Sequence, residues 1–148
     1  MKRRHFVAGL AALGAMPAAA QRFQPAQDIT PLLRELTAGA TAQPGGIEIE
    51  LPRIAENGNS VPMRIAVPSP MSAGDHVAAI YIIAERNPRP RVATFHFGPA
   101  SGKAEVTTRV RLAGTQTVTV LAELSGKRFR IATTEVLVTA AACLDESL

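Results

Sequence analysis

The sequence predicts an all-β protein, an immunoglobulin-like antiparallel β-sandwich with a short N-terminal helix and a flexible C-terminal arm. Three observations support this prediction. Short apolar runs recur along most of the chain. Several of them alternate apolar and polar residues, as in strands that have one wet face. Turn residues such as Gly, Pro, Ser and Asn separate the runs, a spacing typical of a sandwich of about seven strands. Propensity alone leaves the order of the strands open.

The first predicted element is a short helix that begins at Thr30. Thr30 is the predicted N-cap residue, and Pro31 stands at the first helical position, where a missing N–H costs nothing. Leu33 and Leu36 place apolar side chains on one face of the helix. The helix is predicted to end near Gly39.

The period of the sequence then changes to two. Ile47, Ile49 and Leu51 alternate with Glu48 and Glu50, which predicts a first strand after Gly45. The further predicted strands are Val61–Val67, Val77–Ala84, Val92–Phe97, Val106–Leu112, Thr117–Leu124, Phe129–Thr133 and Glu135–Thr139.

The alternation also assigns the faces of the later strands. The side chains expected to point inward are Val106, Val110, Leu112, Val118, Val120, Ala122 and Leu124, and those expected to point outward are Thr107, Arg109 and Arg111. The run 77–83 is different, because it is apolar on both faces and needs a cover on both. The outer cover is either the N-terminal helix or a loop of the same chain, or a partner subunit.

Residues 1–20 have the organisation of an export signal, with a charged start, an apolar stretch at Ala8–Ala15 and a small-residue cleavage site after Ala20. Paired arginines before Phe6 and a stretch rich in Ala and Gly favour the twin-arginine route, and an ordinary secretory signal is the alternative. The stretch is far shorter than the about 20 residues of a membrane span. We therefore expect a periplasmic protein with a signal peptide at 1–20, a sandwich at 21–138 and a C-terminal arm at 139–148.

Removal of the signal changes the charge of the chain. The full chain has 16 basic and 12 acidic residues, and Lys2, Arg3 and Arg4 lie in the signal. The mature chain therefore has 13 basic and 12 acidic residues, a formal charge of +1. Such a chain lacks the basic surface expected of a nucleic-acid-binding protein.

Cys143 is the only cysteine and lies close to the C-terminus, just after the last predicted strand. An export signal would deliver this thiol to an oxidising compartment without a disulfide partner in its own chain. The thiolate is the reactive form, and the pKa of a free cysteine is about 8.5. Asp145 and Glu146 favour the neutral thiol, so we expect low reactivity unless a partner assists.

Catalysis by the chain itself has little support. The mature chain has only His76 and His96, and neither lies in a nucleophile or metal motif with a carboxylate partner. Met63 and Met71, together with these histidines, offer soft ligands for copper, but without tight spacing. We therefore predict no enzyme and no metal, with copper binding as a minor alternative. His96 lies between two phenylalanines and is expected to be packed or to lie at an interface.

Two loops have simple interpretations. Asn57-Gly58-Asn59-Ser60 does not fit a phosphate-binding loop, because no helix follows it, or a glycosylation site, because it lacks an Asn-x-Ser/Thr triplet. The segment is therefore predicted to be a turn. Arg86, Arg89 and Arg91 form a small basic loop, which is either solvated or a docking site for a partner.

Several segments resemble one family, the sulfur-oxidation carrier SoxY. They are Ile54-Ala55-Glu56-Asn57-Gly58-Asn59-Ser60-Val61-Pro62, Ser69-Pro70-Met71, Asn87-Pro88, Ala93-Thr94-Phe95-His96-Phe97 and Lys103 to Gln116. The resemblance extends from the signal to residue 143, with the blocks in the order and spacing of that family. It implies an immunoglobulin-like subunit that pairs with a SoxZ-like subunit and holds sulfur intermediates covalently on Cys143, without another cofactor.

The resemblance also implies partners. A haem cytochrome would join thiosulfate to the thiol, a hydrolase would release sulfate, and a sulfur dehydrogenase or other partners would act on the remaining sulfur. The carrier arm would include Ala140, Ala141, Ala142 and Leu144 beside the cysteine. Members of the family typically end in Gly-Gly-Cys-Gly-Gly, and this chain has bulkier, stiffer residues there. The alternative is therefore a sandwich that pairs with SoxZ but has lost the carrier cycle.

Overall fold

The computed structural model describes residues 24–142, and within this range it contains one α-helix and nine strands. The predicted signal peptide lies outside the described residues. The helix α1 is Thr30–Leu36, and a 3₁₀ turn occupies Pro99–Ser101. The strands are β1 Ala42–Pro44, β2 Glu48–Glu50, β3 Ile54–Ala55, β4 Val61–Val67, β5 Val77–Ala84, β6 Arg91–His96, β7 Ala104–Val110, β8 Gln116–Leu124 and β9 Arg128–Val138.

The strands form two sheets. The larger sheet has the order β1-β9-β8-β5-β6, and the short strand β3 also pairs with β9. The smaller sheet has the order β2-β4-β7. Most pairs are antiparallel, whereas β1 and β3 lie parallel to β9, at opposite ends of its length. The prediction of an all-β sandwich is therefore confirmed.

The core lies between the two sheets. From the smaller sheet, β4 contributes Met63 and Ile65, which are 2% and 0% exposed. From the larger sheet, Ile80, Ile82 and Val120 are fully buried in the same cluster. The predicted faces of β7 are confirmed: Val106, Val110 and Leu112 are buried, and Thr107, Arg109 and Arg111 are exposed.

The larger sheet is also covered on its outer face, by the segment that precedes β1. Ile83 and Leu121 are both 0% exposed although they alternate with core residues. Helix α1 lies beside Leu121, because Leu33 and Leu121 line the same small cavity. Ahead of the helix, the Gln27 backbone N–H donates to the Glu85 carbonyl at the end of β5. The cover of the doubly apolar strand is thus intramolecular, as one of the two expectations proposed.

Two local predictions need correction. The N-cap residue is Ile29, and Thr30 is already helical; its N–H donates to Asp28 Oδ1 at 2.9 Å. The end of the helix near Gly39 agrees with the prediction: the last helical residue is Leu36, and the chain reverses through Ala38 and Gly39, which have positive φ. The two strands predicted at 129–133 and 135–139 are one continuous strand, because β8 pairs with β9 from Arg128 to Val136. No helix within residues 24–142 is long and apolar enough to cross a membrane.

Candidate functional site at the root of the C-terminal arm

The predicted site residues fall on both sides of the last described residue. Ala140, Ala141 and Ala142 are described, whereas Cys143 and Leu144 lie outside the described residues. The arm root is defined here as residues 139–142, which follow β9 directly. Ala140 is exposed, Ala141 is half-buried and Ala142 is 7% exposed. The exposure of the arm root therefore decreases toward Ala142, which is the one residue of it that is buried.

Backbone hydrogen bonds fix the arm root between two loops. The Gly58 N–H donates to the Ala140 carbonyl at 2.7 Å, and the Ala142 N–H donates to the Leu112 carbonyl at 3.1 Å. The Leu112 N–H in turn donates to the Gly58 carbonyl at 2.8 Å. These three bonds are called the clasp below. They continue the edge pairing of β9, where the Thr139 N–H donates to the Ala55 carbonyl at 3.0 Å.

Gly58 is buried at the centre of the clasp. A Cβ atom at this position would overlap the Leu112 carbonyl oxygen, would lie 2.8 Å from the Ala142 nitrogen and would lie 3.0 Å from Val138 Cγ1. Two of these three neighbours are backbone atoms, which cannot move aside as the end of a flexible side chain can. Glycine is therefore required here by close backbone approach and not by an unusual φ. The turn that holds it is the predicted one, closed by the Asn59 N–H on Asn57 Oδ1 at 2.9 Å.

The loop that carries Leu112 is held by a buried polar side chain. Asn87 is 5% exposed, and its Nδ2 donates to the Arg111 carbonyl at 2.8 Å. Its Oδ1 accepts from the Ala113 N–H at 3.0 Å and from Gln116 Nε2 at 3.2 Å. The carbonyl of Leu112, which receives the Ala142 N–H, thus lies between two backbone groups that Asn87 fixes. Buried polar groups that are satisfied in this way specify a single loop arrangement.

The surface beside the arm root combines an apolar pair with a charge-balanced cleft. Ile54 and Leu137 are register partners on β3 and β9, and they are 59% and 49% exposed. The cleft has a volume of about 630 Å³, and Leu137 and Thr115 belong to its lining. Its charged lining residues are Arg53, Arg86, Glu85 and Glu135, two of each sign. Such a lining has no net charge and does not concentrate anions.

The four residues considered for copper lie in different surroundings. Met63 and Met71 belong to the hydrophobic core cluster. His96 is exposed, so of the two expectations for it packing is wrong, and a position at an interface stays a prediction. His76 Nδ1 lies 3.1 Å from the Ser72 carbonyl. Within residues 24–142 no group of three or more His, Cys, Asp or Glu side chains could hold a metal ion.

Sequence reasoning missed the roles of Gly58, Leu112 and Asn87. The turn at Gly58 was predicted, but its contact with the arm root joins residues far apart in the chain. The only available signal was that Gly58 and Asn87 both stand in segments with the family resemblance.

Comparison with known proteins decides the family. The model of the family described as sulfur oxidation protein SoxY matches residues 33–143. The chain belongs to the SoxY family. The match ends at Cys143, so it includes the whole clasp and the arm root. A search among curated proteins found no matching relative.

Solved structures agree with this assignment. The sulfur carrier protein SoxY from Chlorobium limicola f thiosulfatophilum matches with 31% identity and a TM-score of 0.62, over 73% of this chain and 89% of that chain. A superoxide reductase (neelaredoxin) from Ignicoccus hospitalis matches with 20% identity and a TM-score of 0.56, over 64% of this chain and 80% of that chain. A putative superoxide reductase from Thermotoga maritima matches with 20% identity and a TM-score of 0.54, over 66% and 87% of the two chains. The last two similarities show the sandwich fold alone.

Proposed function

We propose that this SoxY-family chain is a periplasmic sulfur carrier that holds thiosulfate-derived sulfur covalently on Cys143 during sulfur oxidation. The main support is the family match that ends at this cysteine, the only one in the chain. The similar Chlorobium structure is itself a sulfur carrier protein. The carrier is a substrate for partner enzymes and not a catalyst. It pairs with a SoxZ-like subunit and carries the thiol to the other Sox proteins.

The proposed chemistry has three steps. In the first, the Cys143 thiolate and the outer sulfur of thiosulfate form an S–S bond, giving a cysteine S-thiosulfonate and two electrons, which the haem cytochrome partner accepts. In the second, the hydrolase adds water across the terminal S–S bond, so that sulfate leaves with the hydroxyl and Cys143 keeps one extra sulfur as a persulfide. In the third, the dehydrogenase partner oxidises the outer sulfur of the persulfide to a sulfonate: three water molecules supply the oxygen atoms, six protons are released, and the partner accepts six electrons. The thiol must be deprotonated for the first step, and no cation near Cys143 in the sequence assists this.

The sequence at the arm favours a second candidate. Alanines precede Cys143 where the family typically has glycines, and Leu144 to Leu148 follow it. In addition, the arm root is clasped, with Ala142 only 7% exposed. A stiffer arm would enter narrow active sites less easily. The second candidate is therefore a sandwich that binds a SoxZ-like subunit but no longer carries sulfur.

The intact mass of the protein tests both candidates. The mature protein is purified with its bound partner from the periplasm of cells oxidising thiosulfate, and its mass is measured before and after reduction. The carrier hypothesis expects an added mass of sulfur or of an S₂O₃ group, removed by the reductant and absent from Cys143→Ser. The variant should still bind the same partner, because position 143 follows the last strand of the sandwich in the sequence.

Two results would contradict the carrier hypothesis. One is a uniformly free thiol in cells that oxidise thiosulfate, and the other is a disulfide-linked dimer through Cys143 without any sulfur adduct. Either result with the partner still bound would support the second candidate.

A further inference from the structure

We propose that Gly58 is a positioning residue for the carrier thiol, because it fixes the point at which the C-terminal arm leaves the sandwich. This inference rests on the proposed carrier function. Its consequence is that the arm leaves the sandwich from a fixed point at Ala142, and that moving this point away from the sandwich requires the clasp to open. Gly58 thus acts through the arm root and not through contact with the reacting sulfur.

The first support is the shape of the clasp. Gly58 lies between the Leu112 loop and the arm root, and its N–H and carbonyl bond to opposite sides. Its missing side chain lets the Ala142 nitrogen approach, since an added Cβ would lie 2.8 Å from that atom. A Cβ contact shorter than about 3.0 Å forces the neighbours apart. Substitution at Gly58 therefore separates the arm root from the Leu112 carbonyl.

The second support is the place of the clasp along the chain. The last clasp bond is donated by Ala142, and the next residue in the sequence is Cys143. Consecutive Cα atoms are about 3.8 Å apart across a trans peptide, so a fixed Ala142 limits how far Cys143 can lie from the sandwich. Arm flexibility before the cysteine is available only when the bonds of Ala140 and Ala142 break.

The expected size of the effect follows from the two bonds that join the arm root to the loops. A typical intramolecular hydrogen bond contributes about 1 kcal/mol net, so two bonds favour the closed clasp on the order of thirtyfold. Gly58→Ala should therefore speed amide hydrogen exchange at Ala142 by roughly ten- to a hundredfold relative to the unchanged protein. Exchange in the middle of β8 should stay the same.

The matched control is Gly114→Ala. Gly114 is also a buried glycine, in the loop next to Leu112, but a Cβ there would meet no atom within 4 Å. A second test variant is Ala142→Pro, which removes the N–H that donates to the Leu112 carbonyl and leaves Gly58 unchanged. It opens the clasp by a different route, so the test does not depend on the stability of the Gly58 variant.

Thiol labelling separates positioning from a merely structural role. The full mature protein is labelled at Cys143 with iodoacetamide and with a maleimide attached to a large polymer, and the ratio of the two rates is measured. When the closed clasp keeps the attachment point of Cys143 at the sandwich, the sandwich hinders the bulky reagent more than the small one. The bulky-to-small ratio should therefore rise several-fold in Gly58→Ala and Ala142→Pro and stay unchanged in Gly114→Ala.

Each result bears on the inference. Unchanged exchange at Ala142 in Gly58→Ala would overturn the role of the glycine in the clasp. Faster exchange at Ala142 in Gly58→Ala, together with a labelling ratio that is unchanged in both Gly58→Ala and Ala142→Pro, would overturn the positioning of the thiol. Neither measurement requires a sulfur adduct, so failure of the carrier hypothesis would be seen separately, in the mass of the periplasmic protein.

Discussion

Substitution of Asn87 by Ala should destabilise the protein and loosen the arm root at a distance. The side chain of Asn87 is 5% exposed and bonds to Arg111, Ala113 and Gln116. Gln116 Nε2 keeps a second partner, the Gly114 carbonyl at 3.1 Å, and the exposed Arg111 segment can be hydrated. The Ala113 N–H, however, is left without its acceptor in a partly buried loop.

The magnitude follows from these losses. An unsatisfied buried group costs about 1–3 kcal/mol, and the other lost bonds add about 1 kcal/mol. We therefore expect the free energy of unfolding to fall by about 2–4 kcal/mol. For a chain of this size that corresponds to a decrease in Tm of about 10 °C, measured by thermal unfolding followed by circular dichroism. The Leu112 loop should also loosen, with faster amide exchange at Ala142.

The matched control is Asn59→Ala, an equal truncation at an exposed turn where the recorded bond uses the backbone N–H of Asn59 and not its side chain. It should change stability by less than about 0.5 kcal/mol. If the two variants melt at the same temperature, the buried Asn87 network does not fix the Leu112 loop. If Asn87→Ala lowers Tm but leaves exchange at Ala142 unchanged, the loop and the arm root are not coupled.

Two further predictions concern the outer face of the larger sheet. Leu121→Ala should lower the free energy of unfolding, measured in urea, by about 2–5 kcal/mol, because Leu121 is 0% exposed beneath α1. Leu137→Ala, at a residue that is 49% exposed, should lower it far less. Equal decreases in the two variants would mean that α1 does not cover the sheet. Tyr81 is the only tyrosine, and burial, together with its hydrogen bond to Glu123, raises its pKa above 10.0. Since the folded state holds this proton more tightly, stability should fall as the pH rises above 10.0, and an ultraviolet titration of the phenol with a midpoint at or below that value would contradict the burial.

The bounds of β4 and β5 were predicted as the structure has them, because the signals for strands are local. Alternation in β4 and the continuous apolar run of β5 belong to a few adjacent residues, and turn residues flank both. The break predicted near Thr134 was wrong for a non-local reason. Polar residues at that point weaken the local signal, but β8 supplies a continuous ladder of partners across the strand.

The cover of the larger sheet could be predicted only as a choice between alternatives. The apolar pattern of β5 shows that both faces are buried but not what buries them. The answer depends on where the segment before β1 returns to the sheet, and local patterns do not specify such long-range packing. The same holds for the clasp, whose bonds join the arm root to the Gly58 turn and the Leu112 loop. Beside it, the Thr139 hydroxyl donates to the Glu56 carbonyl, 83 residues away in the sequence.

The alanines of the arm root and the hydrogen bonds of the clasp both favour a docked arm root. A glycine at position 142 would bury no side chain and would lose more backbone entropy on docking, whereas the methyl group of Ala142 is almost completely buried. The glycine that close approach requires is supplied from the other side of the contact, by Gly58. A residue without a side chain is therefore needed on only one side of this contact, at position 58. The alanines at positions 140–142 thus fit an arm root that is docked against the sandwich.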